Sequence, residues 1–417
     1  MNTLVFERNL ARFAAARVVS SFGSGRGAGV SPLRLVDGEA PELPGEGWHR
    51  VQPILSGICG SDLSTLDGRS SRYFEALVSF PFVPGHEIVG CVQDNATSAS
   101  GEPIPAEGRV VIEPVLSCRA RRISPLCPAC AEGLTGDCER VAFGHIRPGL
   151  QTGFCADTGG GWSAAGLVAH ESQLYAVPDE LTDQDAVTVE PLACALHAAL
   201  AAGLRETDVV AVIGAGTLGL LTVAAISYLG STGRAAVPEA LLVGARYAHQ
   251  RKWAEELGAT LALDSTQLAR AVRRRRHTMA VGSESVDRLS GGADVVFDCV
   301  GSADSIEQAL AMVRARGRVV LVGMPGAIRV DLAPLWHREV TLLGAYAYGT
   351  ERVADARVRT FDLAIELAGA LHTGRLVSAT YPLDRFEEAV GHAGAAGRRG
   401  SVKVAFDLTQ STKGRPR

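Results

Sequence analysis

At 417 residues, 47% of them hydrophobic, the chain is long enough for two domains with proper cores, and this composition excludes a largely disordered polymer. Lys plus Arg number 41 against 45 for Asp plus Glu, a net of 41 − 45 = −4, so no global positive field favours nucleic acid. Nine cysteines at this length, three of them crowded into Cys127 to Cys138, read as ligands rather than a disulfide framework, which points to a reducing cytoplasm.

The first twenty residues mix Glu7, Arg8, Arg12 and Arg17 with short apolar pieces, so they lack the apolar core of a secretion signal. No apolar stretch reaches membrane-spanning length. From about residue 30 to about 185 the chain is rich in Pro and Gly with short apolar runs such as Glu87 to Val92 and Arg109 to Ile112, a pattern of short strands and irregular loops. From about 195 to 345, strand-like and helix-like runs alternate. They are Val209–Ile213, Leu218–Leu229, Ala240–Val243, Arg251–Leu257, Ala293–Cys299, Ser305–Val313 and Arg318–Val322, and they predict a parallel sheet covered by helices on both faces. The run Arg273 to Arg276 reads as a solvated helix end or loop within a surface loop reaching Ser290. A helix over Val358–Leu371, a strand near Val402–Phe406 and a disordered polar end from Thr409 to Arg417 complete the reading.

Three separated fragments carry side chains that suit a metal. Gly57-Ile-Cys-Gly-Ser-Asp62, Gly85-His-Glu87 and Val189-Glu-Pro191 offer Cys59, His86, Glu87 and Glu190. Thiolate, imidazole and carboxylate together form a tetrahedral zinc set, and a catalytic zinc keeps one position open for water or substrate. A second set lies in Cys127-Pro-Ala-Cys130 and Cys138, with Cys118 the natural fourth thiolate. The basic insert Arg119 to Arg122 stands between Cys118 and the rest, so a structural zinc requires the lobe to loop back; the other reading is a set of free thiols.

Gly214-Ala-Gly-Thr-Leu-Gly219 follows the apolar run Asp208–Ile213, as a dinucleotide-binding turn does. Gly214 makes the turn, Gly216 admits a pyrophosphate, Gly219 lets the helix pack closely, and Thr217 and Leu218 open the helix whose free N–H groups receive the phosphates. An acid about twenty residues further on would bind the ribose 2′-OH of NAD. Ala245 stands there instead, followed by Arg246, with Arg251 and Lys252 a turn further on, which favours NADP(H) over NAD(H).

The ordered set Gly-Ile-Cys-Gly-Ser-Asp, Pro84-Gly-His-Glu87, the Cys-rich lobe, Glu190-Pro-Leu192 and Gly214 to Gly219 resembles the zinc-dependent medium-chain dehydrogenases of the alcohol dehydrogenase superfamily, especially the sorbitol, threonine and glucose dehydrogenase branch. The resemblance runs from about Leu33 to Phe406. It implies an α/β protein in which a GroES-like β-barrel catalytic domain (residues 1–188) is followed by a Rossmann doubly wound parallel-sheet domain (189–346) and a segment returning to the barrel (347–417). It also implies a homodimer or homotetramer acting on a small alcohol or carbonyl, with no nucleic acid or membrane partner. Cys59, His86 and Glu87 take the ligand positions, Glu190 binds zinc directly or through its water, and Ser61 takes the place of the hydroxyl that starts the proton relay. Ser64 replaces the relay histidine of many alcohol dehydrogenases, leaving water or the cofactor ribose to complete the path. The other functional readings are a zinc-free C=C reductase of the same superfamily and a non-catalytic NADPH-binding redox sensor.

Overall fold

The computed structural model describes residues 1–282 and 288–410, which form two compact units. Unit 1 comprises Met1–Glu190 and Phe361–Arg417, and unit 2 comprises Pro191–Thr360.

In unit 1 a hairpin of β1 (Asn2–Phe6) and β2 (Leu33–Asp37) is interrupted by helix α1 (Leu10–Ser20). There follow β3 (Trp48–Gly57), α2 (Gly60–Leu66), β4 (Ile88–Val92), β5 (Arg109–Ile112), β6 (Leu167–His170) and β7 (Leu174–Ala176). The chain then leaves through α3 (Val189–Ala201).

Unit 2 alternates β8 (Val209–Ile213), α4 (Thr217–Ser231), β9 (Ala240–Gly244), α5 (Ala248–Glu256), β10 (Leu261–Leu263), α6 (Leu268–Arg275), β11 (Ala293–Asp298), α7 (Ala303–Met312), β12 (Val313–Leu321) and β13 (Thr341–Gly344). It ends in a hairpin of β14 (Thr350–Val353) and β15 (Ala356–Arg359). The chain rejoins unit 1 through α8 (Thr360–Leu371), β16 (Val377–Tyr381), α9 (Phe386–Gly394) and β17 (Lys403–Asp407).

The large sheet of unit 1 runs β16-β17-β3-β4-β5-β7, with β6 also on β3; only the β16–β17 pair is parallel. Strands from opposite ends of the sequence therefore meet in one sheet: Ala405 of β17 stands opposite Gly57 of β3. This pairing brings the end of the chain to the strand that leads into Cys59.

Unit 2 is a six-stranded parallel sheet in the order β10-β9-β8-β11-β12-β13. The order reverses at β8, where doubly wound sheets open a crevice beyond the strand ends. β8 and β11 are buried along their whole length; β8 reads as an unbroken apolar run, while β11 carries Val295–Phe297 between two buried acids, Asp294 and Asp298.

Three expectations need amendment. The return to unit 1 falls after Thr360 rather than after residue 346, because the β14–β15 hairpin belongs to unit 2, where Glu351 pairs with His197 at 2.6 Å. The expected loop from Arg273 begins as the last turn of α6, and Ala280–Val281 pairs with Arg288–Leu289 as a small antiparallel ladder. Residues 283–287 of that loop, and most of the expected disordered tail, lie outside the described residues. Helix α1 was not anticipated, since its apolar residues form no clean stripe: Leu10 and Val18 are exposed.

Candidate active site and metal centres

The approach to Cys59 is built by β3. Gly57 is required there, because a Cβ on it would lie 1.8 Å from Glu87 Oε2. Cys59 precedes α2, and the Asp62 carboxylate, in the first turn of that helix, reaches back to accept a hydrogen bond from the Cys59 amide at 2.9 Å. The other Asp62 oxygen faces His86 Nδ1 at 3.5 Å, which leaves Nε2 as the outward nitrogen, 3.5 Å from Ser61 Oγ. One acid thus fixes both the backbone of the thiol and the orientation of the imidazole, the role expected of an outer partner.

The ligand atoms of Cys59, His86 and Glu87 lie within 4.8 Å of one another. Burial alone would strip the proton from the His86 imidazolium, but Asp62 and Cys59 outweigh it and hold His86 well above its ordinary value. His86 Nδ1, Asp62 Oδ1 and Glu87 Oε2 are buried without a well-aligned hydrogen bond. His86 Nδ1 and Asp62 Oδ1 face each other and Glu87 Oε2 faces Lys403, so the fit to a divalent zinc rests on the donor set itself: a thiol, an imidazole and a carboxylate gathered at this spacing. Glu190, at the start of α3, is 7% exposed and stands outside this set of three.

The sequence reading missed Lys403. It opens β17, is 2% exposed, contacts Glu87 Oε2 directly and donates to Ile58 O at 3.3 Å. Burial by itself disfavours the ammonium, yet the negative groups around it, Glu87 first, then Cys59 and Glu190, hold its pKa above the usual lysine value. A single lysine inside the apolar run Val402-Lys403-Val404-Ala405-Phe406 was the available signal.

Cys118, Cys127, Cys130 and Cys138 converge in a second cluster, their sulfurs all within 4.8 Å of one another and all four side chains buried. The Sγ atoms of Cys118 and Cys138 are 3.7 Å apart, and the Cys127 amide donates to Cys118 Sγ at 3.5 Å. The insert therefore does loop back. A hydrogen bond from the Cys130 thiol holds Cys138 below the ordinary thiol value. Four buried thiols at this spacing fit a closed structural zinc.

In unit 2, Gly214 has φ +90°, and a Cβ on Gly219 would lie 1.9 Å from Gly214 O. A Cβ on Gly216 would meet nothing within 4 Å, so the strand-to-helix turn presents open backbone at the N-terminus of α4, with Thr217 and Leu218 in its first turn. That cradle fits the pyrophosphate of a dinucleotide. Ala245, just beyond β9, is buried, and Arg246 is exposed. Arg251 is already engaged: it donates to Ala245 O at 3.0 Å and lies 3.9 Å from Asp264. Trp162 is wholly buried, donating to Gly57 O and packing edge-on against Phe406.

Residues 45–179 match the alcohol dehydrogenase GroES-like domain, and residues 241–362 match the zinc-binding dehydrogenase domain. The chain is a zinc-type medium-chain dehydrogenase of the alcohol dehydrogenase superfamily. Among its relatives, the sorbitol dehydrogenase of Bacillus subtilis (strain 168) is 26% identical, over 82% of this chain and 85% of that one. The L-idonate 5-dehydrogenase of Vitis vinifera is 28% identical, over 91% and 93%. A solved structure of a zinc-binding dehydrogenase from Sinorhizobium meliloti 1021, bound to NADP, superposes with a TM-score of 0.64 at 25% identity, covering 90% of this chain and 95% of that one. This dehydrogenase therefore pairs a GroES-like unit carrying the Cys59, His86 and Glu87 set with a doubly wound unit carrying the glycine turn. No helix among its described residues is long and apolar enough to cross a membrane.

Proposed function

We propose that this dehydrogenase oxidises a secondary alcohol of a polyol or sugar acid, or reduces the corresponding ketone, with NADP(H) as hydride partner. The convergence of Cys59, His86 and Glu87 carries the reading, and relatives named for sorbitol and L-idonate support the substrate class. Zinc held by these residues, with Glu190 as a direct ligand or through water, supplies Lewis acidity that lowers the pKa of an alcohol and polarises a carbonyl. Asp62 keeps the His86 ring turned, and Lys403 offsets the carboxylate charge. Ser61, half-buried and 3.5 Å from His86 Nε2, exchanges the hydroxyl proton. Ser64 gives that proton no imidazole to follow, so water or the cofactor ribose completes the path. Gly214, Gly216 and Gly219 seat the pyrophosphate in unit 2.

NADP over NAD rests on Ala245 in the place of the acid and on the exposed Arg246, since Arg251 is occupied by backbone carbonyls and Asp264. The cysteine lobe holds a second zinc. A reducing cytoplasm agrees with a lobe whose Cys118, Cys127, Cys130 and Cys138 gather as a ligand set. A homodimer or homotetramer agrees with β13, which lies at the sheet edge with Leu342 exposed, and with Trp336 nearby in sequence at 81% exposure.

The test is a polyol and sugar-acid panel with both nicotinamides, run beside a metal count. Zinc-dependent turnover abolished by Cys59→Ala supports the reading; turnover that survives exhaustive chelation sinks it. Arg246→Ala is expected to cost roughly tenfold in kcat/KM with NADP, about 1.4 kcal/mol, and little with NAD. Sedimentation of Leu342→Lys checks the assembly, with a shift toward monomer expected.

A further inference from the structure

The basic insert Arg119-Ala-Arg-Arg122 separates Cys118 from the other three cysteines, and nothing in the dehydrogenase chemistry accounts for it. Arg119 and Arg122 face solvent, while Arg121 is turned fully inward at 0% exposure. Its guanidinium spends its donors on backbone carbonyls: Nε on Leu116 O at 3.0 Å, Nη1 on Phe143, Ile146 and Arg147 at 2.8, 3.3 and 3.2 Å, and Nη2 on Gly149 at 2.6 Å. Among the described residues no carboxylate forms an ion pair with it. A wholly buried cation without an acidic partner is costly and needs compensation.

The position of those carbonyls is informative. Leu116 lies two residues before the first cysteine of the cluster, and the other four acceptors follow the last one, Cys138. One planar side chain thus ties the segment entering the lobe to the segment leaving it. Around it stand the thiols of Cys155, Cys138 and Cys118 and the carboxylate of Asp157, which is itself engaged by Arg147 at 3.4 Å. Four thiolates around a divalent ion carry a net of −2, a charge that a buried cation stabilises.

We propose that Arg121 is the positioning residue and counter-cation of the cysteine lobe: it closes the loop that returns Cys118 to Cys127, Cys130 and Cys138 and offsets the charge of the metal-loaded thiolates. Arg121, inside the insert, bridges the chain before Cys118 to the chain after Cys138. Its neighbours Arg119 and Arg122 contribute nothing to this, being exposed.

The inference rests on the reading of the lobe as a zinc site, and the experiment separates the two. In a Cys59→Ala background only lobe zinc is counted, and its release to the chelator 4-(2-pyridylazo)resorcinol is followed by absorbance. The parent is expected to hold one zinc per chain; a parent with none overturns the zinc reading itself. Arg121→Met is expected to speed release or lower affinity by about 10- to 100-fold, the usual effect of losing an outer partner. Arg121→Lys keeps the charge but not the planar set of donors, so it is expected to retain zinc and release it faster than the parent. A parent with one zinc and both variants releasing at the parent's rate overturns the role given to Arg121. Should Arg121→Met fail to fold, Arg121→Lys alone decides, since parent-like release by that variant removes the positioning claim.

Discussion

Lys403 is an ammonium at 2% exposure in contact with Glu87 at 1%, so neither charge is solvated by water. Removing one partner of such a pair leaves the other uncompensated, at a cost of about 3–5 kcal/mol. In zinc-depleted protein, Lys403→Met is expected to lose stability of that order in urea titrations, and the double change with Glu87→Gln to recover most of it. A loss below about 1 kcal/mol for the single change would show that the pair is not compensated internally. His170 makes a different argument. Its Nδ1 accepts from the Ser172 amide at 3.2 Å, and burial, with His49, Arg122, His145 and Arg119 nearby, pulls it down to about 4. The unfolded chain takes up that proton near ~6.5 and the native chain only near 4, so this contribution is complete above pH ~6.5 and is lost as pH falls toward 4. Allowing for partial solvent access, about 2 kcal/mol is at stake. His170→Gln is expected to narrow the stability gap between pH 7 and pH 4.5 by that amount; an unchanged gap would mean His170 titrates normally. The contrast with Cys59, His86 and Glu87 is instructive. Those three were legible because their chemistry is restricted and two of them, Cys59 and His86, sit directly beside glycine, whereas Lys403 becomes functional only through a strand pairing that joins the two ends of the sequence.

At the scale of the element, the strand-to-helix turn at Gly214 separates two uses of glycine. A methyl group on Gly219 collides with Gly214 O, so Gly219→Ala is expected to destabilise the turn itself. A methyl group on Gly216 meets no protein atom, and its φ of −74° suits any residue. Gly216→Ala is therefore expected to leave the melting temperature nearly unchanged while weakening NADPH binding by roughly tenfold or more, about 1.4 kcal/mol upward, measured by fluorescence titration. Equal affinity in Gly216→Ala and the parent would remove the pyrophosphate from that position. The elements of unit 2 were readable because a parallel sheet buried on both faces writes each strand as an apolar run between helices. β12 was the exception: it starts at Val313, earlier than the apolar run from Arg318, and passes through exposed Ala315 and Arg316 before reaching the core. In unit 1 the strands are short and their partners distant, so composition gave their class but not the order that sets Lys403 beside Glu87.

At the scale of the whole molecule, the metal donors and the glycine turn fall in different compact units, 1 and 2 respectively. A ligand that binds only the native state stabilises what it binds by RT ln(1 + [L]/Kd), about 2.7 kcal/mol at a hundredfold excess over Kd. Zinc and NADPH should therefore protect different parts of the backbone from local opening. In peptide-resolved hydrogen exchange, zinc removal is expected to speed exchange around residues 57–62, 85–92 and 116–149. Saturating NADPH is expected to slow it at 209–222 and 240–246, by up to ~100-fold where opening exposes the bound cofactor. The lobe and the catalytic set are told apart in the same experiment, since Cys130→Ala is expected to reproduce the effect of zinc removal at 116–149 while sparing 57–62. If NADPH instead protected the 116–149 segment and left 209–222 unchanged, the assignment of the cofactor to the Gly214 turn would fall, even with the Cys59, His86 and Glu87 set intact.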